Sequence, residues 1–245
     1  MGGRCAKRNI VRALLIGVFA APLSALSAMA EERFALVIGN AGYTGKPLPA
    51  LGNPLNDAKL MSDRLTTAGF DVTTVTDADL RGFKTAVREF TGRLAEAGED
   101  VTALFFYAGH GLQGGGKNYL IPLGAELETE ADLEFEAVAT DWVLARLEAA
   151  HGGANVLLLD ACRNPGLARA MGGGGLAPIQ AAPAGSFISF ATAPGMVAYD
   201  GNGENSYYTE AVASHMLAPG VDIEHVFKAV RRAGMADARF AGAAG

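Results

Sequence analysis

The sequence predicts an α/β fold with a mainly parallel sheet that helices cover on both faces. Short, continuously apolar runs recur along the chain, at residues 34–38 (FALVI), 101–107 (VTALFFY), 155–159 (NVLLL) and 186–191 (SFISFA). Segments with the apolar spacing of helices lie between these runs. Strands buried on both faces have this continuous apolar character, and strands that alternate with helices build parallel sheets.

The other elements before residue 100 have signals of their own. Residues 55–65 have helical spacing, and Gly69 is a glycine stop for that helix. Residues 70–75 (FDVTTV) are rich in β-formers and predict a strand. Residues 80–97 predict an amphipathic helix, because apolar side chains follow one another at spacings of three and four: Phe83, Val87, Phe90 and Leu94.

The second half of the chain continues the alternation. Residues 118–123 (NYLIPL) are short and extended, and residues 140–150 predict a helix capped by Thr140 or Asp141. The last two helices are predicted over residues 206–217 and 222–232. Residues 163–185 include the stretch MGGGGL and predict a mobile loop, which is either a bland spacer or a lid.

The first thirty residues have the order of a secretory signal peptide. An apolar run over residues 13–26 precedes the small-x-small motif Ala28-Met29-Ala30, and the basic front consists of Arg4, Lys7, Arg8 and Arg12. The run is short for a bilayer span of about 20 residues, although a retained anchor is the alternative. We therefore expect a signal peptide over residues 1–30. The mature domain, over residues 31–245, should be exported to the periplasm or secreted, with no stable membrane span.

Composition excludes several classes of function. The 245 residues are 50% hydrophobic and only 19% charged, which argues against disorder. Residues 1–30 hold four of the 20 Lys and Arg residues and none of the 26 Asp and Glu residues, so the mature charge is about −10. An acidic domain has no electrostatic reason to bind nucleic acid. Basic ligands suit it better.

Cys162 is the one cysteine that remains once Cys5 is removed with the signal. No intramolecular disulfide can then form. In an oxidising compartment a free thiol is at risk of oxidation or mispairing. A lone cysteine there is either buried and inert or kept for its chemistry.

Two of the apolar runs are followed by residues that can take part in catalysis. VTALFFY leads into Ala108-Gly109-His110-Gly111, and NVLLL leads into Asp160-Ala161-Cys162. If these strands are parallel neighbours, His110 and Cys162 lie at the same edge of the sheet, where sites form in such folds. A histidine within reach can take the thiol proton and return it to a leaving amine. The backbone N–H groups of Gly111 and Cys162 would face the oxyanion. The alternative is that His110 caps a loop and Cys162 fills the core.

The arrangement of a strand with YAGHG, followed about fifty residues later by a strand with DACR, resembles the caspase-like cysteine peptidases. These include caspases, metacaspases and their bacterial relatives. The opening block ERFALVIGNAGYTGKPLPALGNPLNDAKLM and the segments GKNYLIPLGA and SFATAPGMVAYDGNGENSYYTEAV are similar to the bacterial and metacaspase-like branch. The resemblance covers most of residues 32–232. It implies a caspase-like three-layer sandwich and a Cys–His dyad, with His110 as the general base and Cys162 as the nucleophile.

The resemblance also implies an acidic substrate pocket. Asp160, two residues before the cysteine, matches a pocket aspartate of metacaspases, and Asp57 matches the aspartate of the N-D pair after the first strand. Two carboxylates suit an Arg or Lys before the scissile bond. We therefore expect an endopeptidase that cleaves peptide or protein substrates after basic residues. Asp57 has a simpler alternative, since helix starts favour acids in general.

The chain departs from the family pattern in three places. Ala108 stands where metacaspases often have serine, and no aspartate cluster marks a calcium site. We expect no cofactor, and the sequence leaves a calcium requirement and the oligomeric state open. Bacterial relatives often continue past the last helix, whereas this chain ends ARFAGAAG. We therefore expect a truncated or frame-shifted C-terminus.

Other classes of function fit less well. A catalytically inactive caspase-like module that binds partners is the main alternative. The stretch MGGGGL has neither the GxGxxG spacing nor a Gly-Lys-Ser/Thr loop of nucleotide-binding proteins. Neither HExxH nor G-x-S-x-G is present, which argues against zinc and serine hydrolases. The remaining histidines, His151, His215 and His225, are expected on helix surfaces.

Overall fold

The computed structural model describes residues 31–45, 48–162, 184–191 and 203–236. The expected signal peptide, nearly all of the expected loop at 163–185 and the chain end after residue 236 lie outside these ranges. They stay predictions.

The described residues form a seven-stranded sheet. Five strands are parallel, in the spatial order β2-β1-β3-β6-β7. The far end of β3 continues into an antiparallel extension with β4 and β5. The strands, numbered in chain order, are β1 (Glu32–Gly39), β2 (Asp71–Thr76), β3 (Val101–Gly114), β4 (Lys117–Leu120), β5 (Val138–Ala139), β6 (Ala154–Cys162) and β7 (Ser186–Phe190).

Helices lie on both faces of this sheet and make it the middle layer of a three-layer sandwich. On one face, α2 and α4 pack over Leu36 and Ile38 of β1. On the other face, α1, α5 and α6 pack over Ala35 and Val37 of the same strand. The helices are α1 (Pro54–Thr67), α2 (Leu80–Ala97), α3 (Leu133–Glu136), α4 (Thr140–Ala150), α5 (Tyr207–His215) and α6 (Ile223–Ala236), with a 3₁₀ turn at Glu130–Asp132 before α3.

Burial on both faces explains why the strands are continuously apolar. Successive side chains of a strand point to opposite faces, so Ala35 and Leu36 enter different apolar clusters and both are fully buried. The predicted α/β architecture with helices on both faces is confirmed.

The elements differ from the sequence predictions at several ends. β3 extends seven residues past Tyr107, because its last four residues pair with β4. The predicted cap of α4 is wrong: Ala139 is the N-cap and forms no side-chain cap bond, while Thr140 is already helical. The two-residue strand β5 has no sequence signal, since it is defined by pairing with β4.

His151 is not the surface residue that was expected. It is 6% exposed and closes the turn between α4 and β6. Its Nδ1 accepts the backbone N–H of Gly153 at 3.1 Å, and its Nε2 lies 3.0 Å from Asn155 Oδ1. His225, by contrast, is exposed on α6 as expected.

No helix in the described part of the chain is long and apolar enough to cross a membrane.

Gly153 is the residue of this turn for which a side chain has no room. A Cβ atom there would lie 2.0 Å from the carbonyl oxygen of Val101 in β3, whereas one at Gly152 would lie 3.4 Å from a flexible Glu99 carboxylate. We expect Gly153→Ala to lower the free energy of unfolding by about 1–3 kcal/mol, the usual cost of overpacking. Gly152→Ala, the matched control, should change it by less than about 0.5 kcal/mol. Urea unfolding measures both, and equal stability of the two variants would contradict the packing described here.

Candidate active site

The site lies where the parallel pairing of the neighbouring strands β3 and β6 ends. Their pairing runs from Thr102 opposite Ala154 to His110 opposite Cys162. Neighbouring strands are about 4.8 Å apart, so the backbones of His110 and Cys162 are adjacent. The structure therefore brings together the histidine and the cysteine that the sequence singled out, at the edge where it placed them.

The imidazole of His110 has a defined orientation. The residue is 2% exposed, and its Nε2 lies 2.8 Å from the carbonyl oxygen of Pro49. Because a carbonyl oxygen can only accept, Nε2 carries the proton in this contact. The lone pair of the neutral ring is then on Nδ1, which makes Nδ1 the basic nitrogen. The Pro49 carbonyl also stabilises the imidazolium that forms when Nδ1 takes a proton.

The loop that supplies Pro49 is anchored to the sheet by the buried Asn40 and the exposed Asp77. Asn40, at the end of β1, donates its backbone N–H to Ala108 and accepts the backbone N–H of Ala78 at 2.9 Å. The carboxylate of Asp77 accepts the backbone N–H groups of Ala41 and Gly42 at 2.8 and 2.9 Å. These bonds fix the start of the loop relative to β3, on which His110 lies.

The two predicted pocket aspartates are buried and meet at one helix start. Asp57 is 1% exposed on α1, and Asp160 is 3% exposed on β6. Ser206, the N-cap of α5, joins them: its backbone N–H donates to Asp57 Oδ1 at 2.9 Å, and its hydroxyl donates to Asp160 Oδ2. The structure therefore brings both carboxylates together on the side of the sheet where α1 and α5 pack.

Further donors compensate the buried charges. Asn205 Nδ2 donates to Asp57 at 2.9 Å, and the Thr209 hydroxyl donates to Asp160 at 2.7 Å. The positive end of the α5 dipole faces both carboxylates. Burial raises the pKa of the nearby Tyr208, and the charge of Asp160 raises it further, so this phenol stays neutral.

Other predicted features are located as follows. Gly111 follows His110 in β3 and is opposite Leu120 of β4, and Ala108 is opposite Asp160. Cys162 is the last residue of β6 and of its described range. Among the described residues, no group of three or more His, Cys, Asp or Glu side chains can hold a metal ion.

Sequence reasoning missed the groups that hold the named residues. These are the Pro49 carbonyl, the Tyr43 hydroxyl and the α5 start formed by Asn205, Ser206 and Thr209. Ser206 had a usable signal, since serine is a preferred N-cap. The Pro49 carbonyl had none, because a backbone oxygen has no sequence signature.

A parallel sheet is covered by helices, and a histidine and a cysteine are opposite each other where two neighbouring parallel strands stop pairing. This is the arrangement of the caspase-like class of α/β proteins. This chain belongs to the caspase domain family of cysteine peptidases, whose family model matches residues 32–237.

Two curated relatives share part of this domain. The sequence is 30% identical over 135 residues to human mucosa-associated lymphoid tissue lymphoma translocation protein 1 and, over an equal length, to its mouse homologue. The match covers 55% of this chain and 15% of each relative. The match therefore supports the assignment of this domain to its family. Because it covers so little of those longer proteins, their activities cannot be transferred to this chain.

The bridging role of Ser206 leads to a stability prediction. Ser206→Ala removes the α5 cap and one donor to the buried Asp160, so the free energy of unfolding should fall by about 2 kcal/mol. The control is Ser214→Ala on the same helix, where the exposed hydroxyl donates to Glu210 O. It should cost less than about 0.5 kcal/mol. Chemical denaturation measures the free energy of unfolding of both variants. If Ser206→Ala lowers it no more than Ser214→Ala does, Ser206 does not stabilise the fold by bridging Asp57 and Asp160.

Proposed function

We propose that this protein is a cysteine endopeptidase that hydrolyses peptide bonds with a Cys162–His110 dyad, after Arg or Lys. The observation that carries the proposal is the parallel register that makes His110 and Cys162 partners where the pairing of β3 with β6 ends. Membership of the caspase domain family supports the reaction class.

The first half of the reaction forms an acyl-enzyme. His110 Nδ1 takes the proton of the Cys162 thiol, and the thiolate attacks the substrate carbonyl carbon. The carbonyl π electrons move to oxygen, and the backbone N–H groups of Gly111 and Cys162 stabilise that oxyanion. Collapse of the intermediate breaks the C–N bond, and His110 gives its proton to the leaving amine.

Hydrolysis of the thioester completes the cycle. His110 Nδ1 removes a proton from water, and the hydroxide formed attacks the acyl carbon. The C–S bond then breaks and returns the thiolate. Throughout, the carbonyl of Pro49 accepts from Nε2 and stabilises the charged ring.

The proposed specificity rests on Asp57 and Asp160. The hydroxyl, amide and backbone N–H groups that contact the two aspartates stabilise the negative charge of the buried carboxylates. A guanidinium or ammonium of the substrate matches that charge. The acidic composition also favours encounter with basic substrates.

One observation favours a second candidate, an inactive caspase-like module that binds partners. Asp57 and Asp160 already accept hydrogen bonds from the start of α5, so these contacts can be purely structural. In that case the acids hold α5 in place and select no substrate.

The dyad is tested on the purified full chain with short fluorogenic peptides that end in Arg, Lys or Asp before the reporter, with and without calcium. Cys162→Ser and His110→Ala should each lower kcat by about 10³-fold or more while the protein stays folded. His225→Ala, at an exposed histidine, is the matched control. Peptidase activity retained by Cys162→Ser would rule out the mechanism. Absence of turnover in the folded wild type would favour the binding module.

The pocket is tested by Asp160→Asn, which keeps the shape of the side chain and removes its charge. We expect kcat/KM for Arg peptides to fall by about 30-fold or more, which corresponds to loss of a buried charge partner worth about 2–5 kcal/mol. Asp63→Asn, an exposed acid on α1 that pairs with Lys59, is the control. An equal loss with Arg and Asp peptides, together with a lower Tm, would assign Asp160 a structural role.

A further inference from the structure

Tyr43 contacts His110 at both its backbone and its ring. Its hydroxyl accepts the backbone N–H of His110 at 3.1 Å, and its hydroxyl proton goes to the carbonyl of Ile121 at 2.8 Å. The two rings are tilted at 59° with centroids 4.5 Å apart. Tyr43 and Pro49 lie on the same loop after β1, so this loop contacts the ring of His110 through the Tyr43 ring and at Nε2.

A second phenol completes the arrangement around His110. The hydroxyl of Tyr107 lies 2.9 Å from the carbonyl of His110 and 3.2 Å from the hydroxyl of Tyr43. The backbone N–H of Ile121 donates to the same His110 carbonyl at 3.0 Å. Hydrogen bonds therefore hold the residue at its backbone N–H, its backbone carbonyl and its side-chain Nε2.

Gly109 allows these hydroxyls to approach. A Cβ atom at this position would lie 2.5 Å from the Tyr107 hydroxyl and 2.8 Å from the Tyr43 hydroxyl, and its φ of 158° is one that residues with side chains rarely adopt. The glycine before the histidine is therefore part of the hydroxyl arrangement, in addition to leaving room for a substrate.

We propose that Tyr43 is a positioning residue for His110: its hydroxyl and ring hold the imidazole so that Nδ1 faces the cysteine strand. The proposal rests on the proposed function of His110 as the base. Burial raises the pKa of Tyr43 to about 12, so the phenol stays neutral over the working range of a cysteine peptidase. Because Tyr43 touches neither substrate nor reacting atoms in this role, it acts through the histidine.

The test is Tyr43→Phe, which keeps the ring and removes the hydroxyl. The control is Tyr119→Phe, a buried tyrosine of the same apolar cluster that lies on β4 and is opposite Leu112. We expect kcat to fall by about tenfold in Tyr43→Phe, within the contribution of a well-placed general base, while KM changes less than about twofold. Tyr119→Phe should leave both within about twofold of the wild type.

A second readout does not depend on turnover. The alkylation rate of Cys162 by iodoacetamide, followed by mass spectrometry of its own peptide across pH, reports the thiol pKa. A nearby imidazolium lowers that pKa, and we expect Tyr43→Phe to move the midpoint upward, toward the value of about 8.5 of a free cysteine. A loss of fold stability alone would not move this midpoint in protein that is still folded.

The outcomes separate the two proposals. If the wild type cleaves no peptide, the proposed function fails, but the alkylation midpoint still tests whether Tyr43 positions His110. An unchanged midpoint and unchanged kcat in folded Tyr43→Phe would overturn the inference. Should that variant fail to fold, Tyr107→Phe, which removes the other hydroxyl, is judged by the same two criteria.

Discussion

The parallel pairing of β3 with β6 is the constraint on which the rest of the site depends. It places His110 opposite Cys162 and, two rows earlier, Ala108 opposite Asp160. Because side chains alternate between the two faces, a slip of one residue would exchange the faces of the whole strand. Burial against helices on both sides makes such a slip costly. The core that stabilises the sheet therefore also fixes which residues meet at its edge.

Polar groups around this edge connect the catalytic candidates to the fold. Asn40 and Asp77 hold the loop after β1, which contacts His110 through Pro49 and Tyr43. On the other side of the sheet, the α5 start holds both aspartates through Ser206. Asn40, Ser206 and the two aspartates are buried, where an unpaired polar group is costly, so their contacts both stabilise the fold and orient functional groups.

This dual use is the reason why the two candidate functions share one structure. An acid that anchors a helix start through hydroxyl, amide and backbone N–H donors can also attract a basic side chain. A histidine held at its backbone and its ring can be a base or a structural residue. Membership of the family and the register of β3 with β6 favour peptide hydrolysis. The hydrogen bonds of the two aspartates to α5 are expected in a peptidase and in a binding module alike.

The sequence by itself determined the α/β class, the main strands and helices, and the two apolar runs that lead into His110, Asp160 and Cys162. Continuous apolar runs and helical spacing are local patterns, and the predicted bounds of α2 agree with those observed. Only the tertiary structure decided that Asp57 and Asp160 share Ser206 and that Pro49 and Tyr43 hold the histidine. It also buried His151 and extended β3 to pair with β4. These features join residues far apart in the chain, in part through backbone atoms, and such contacts have no local sequence pattern because they arise when separate elements pack.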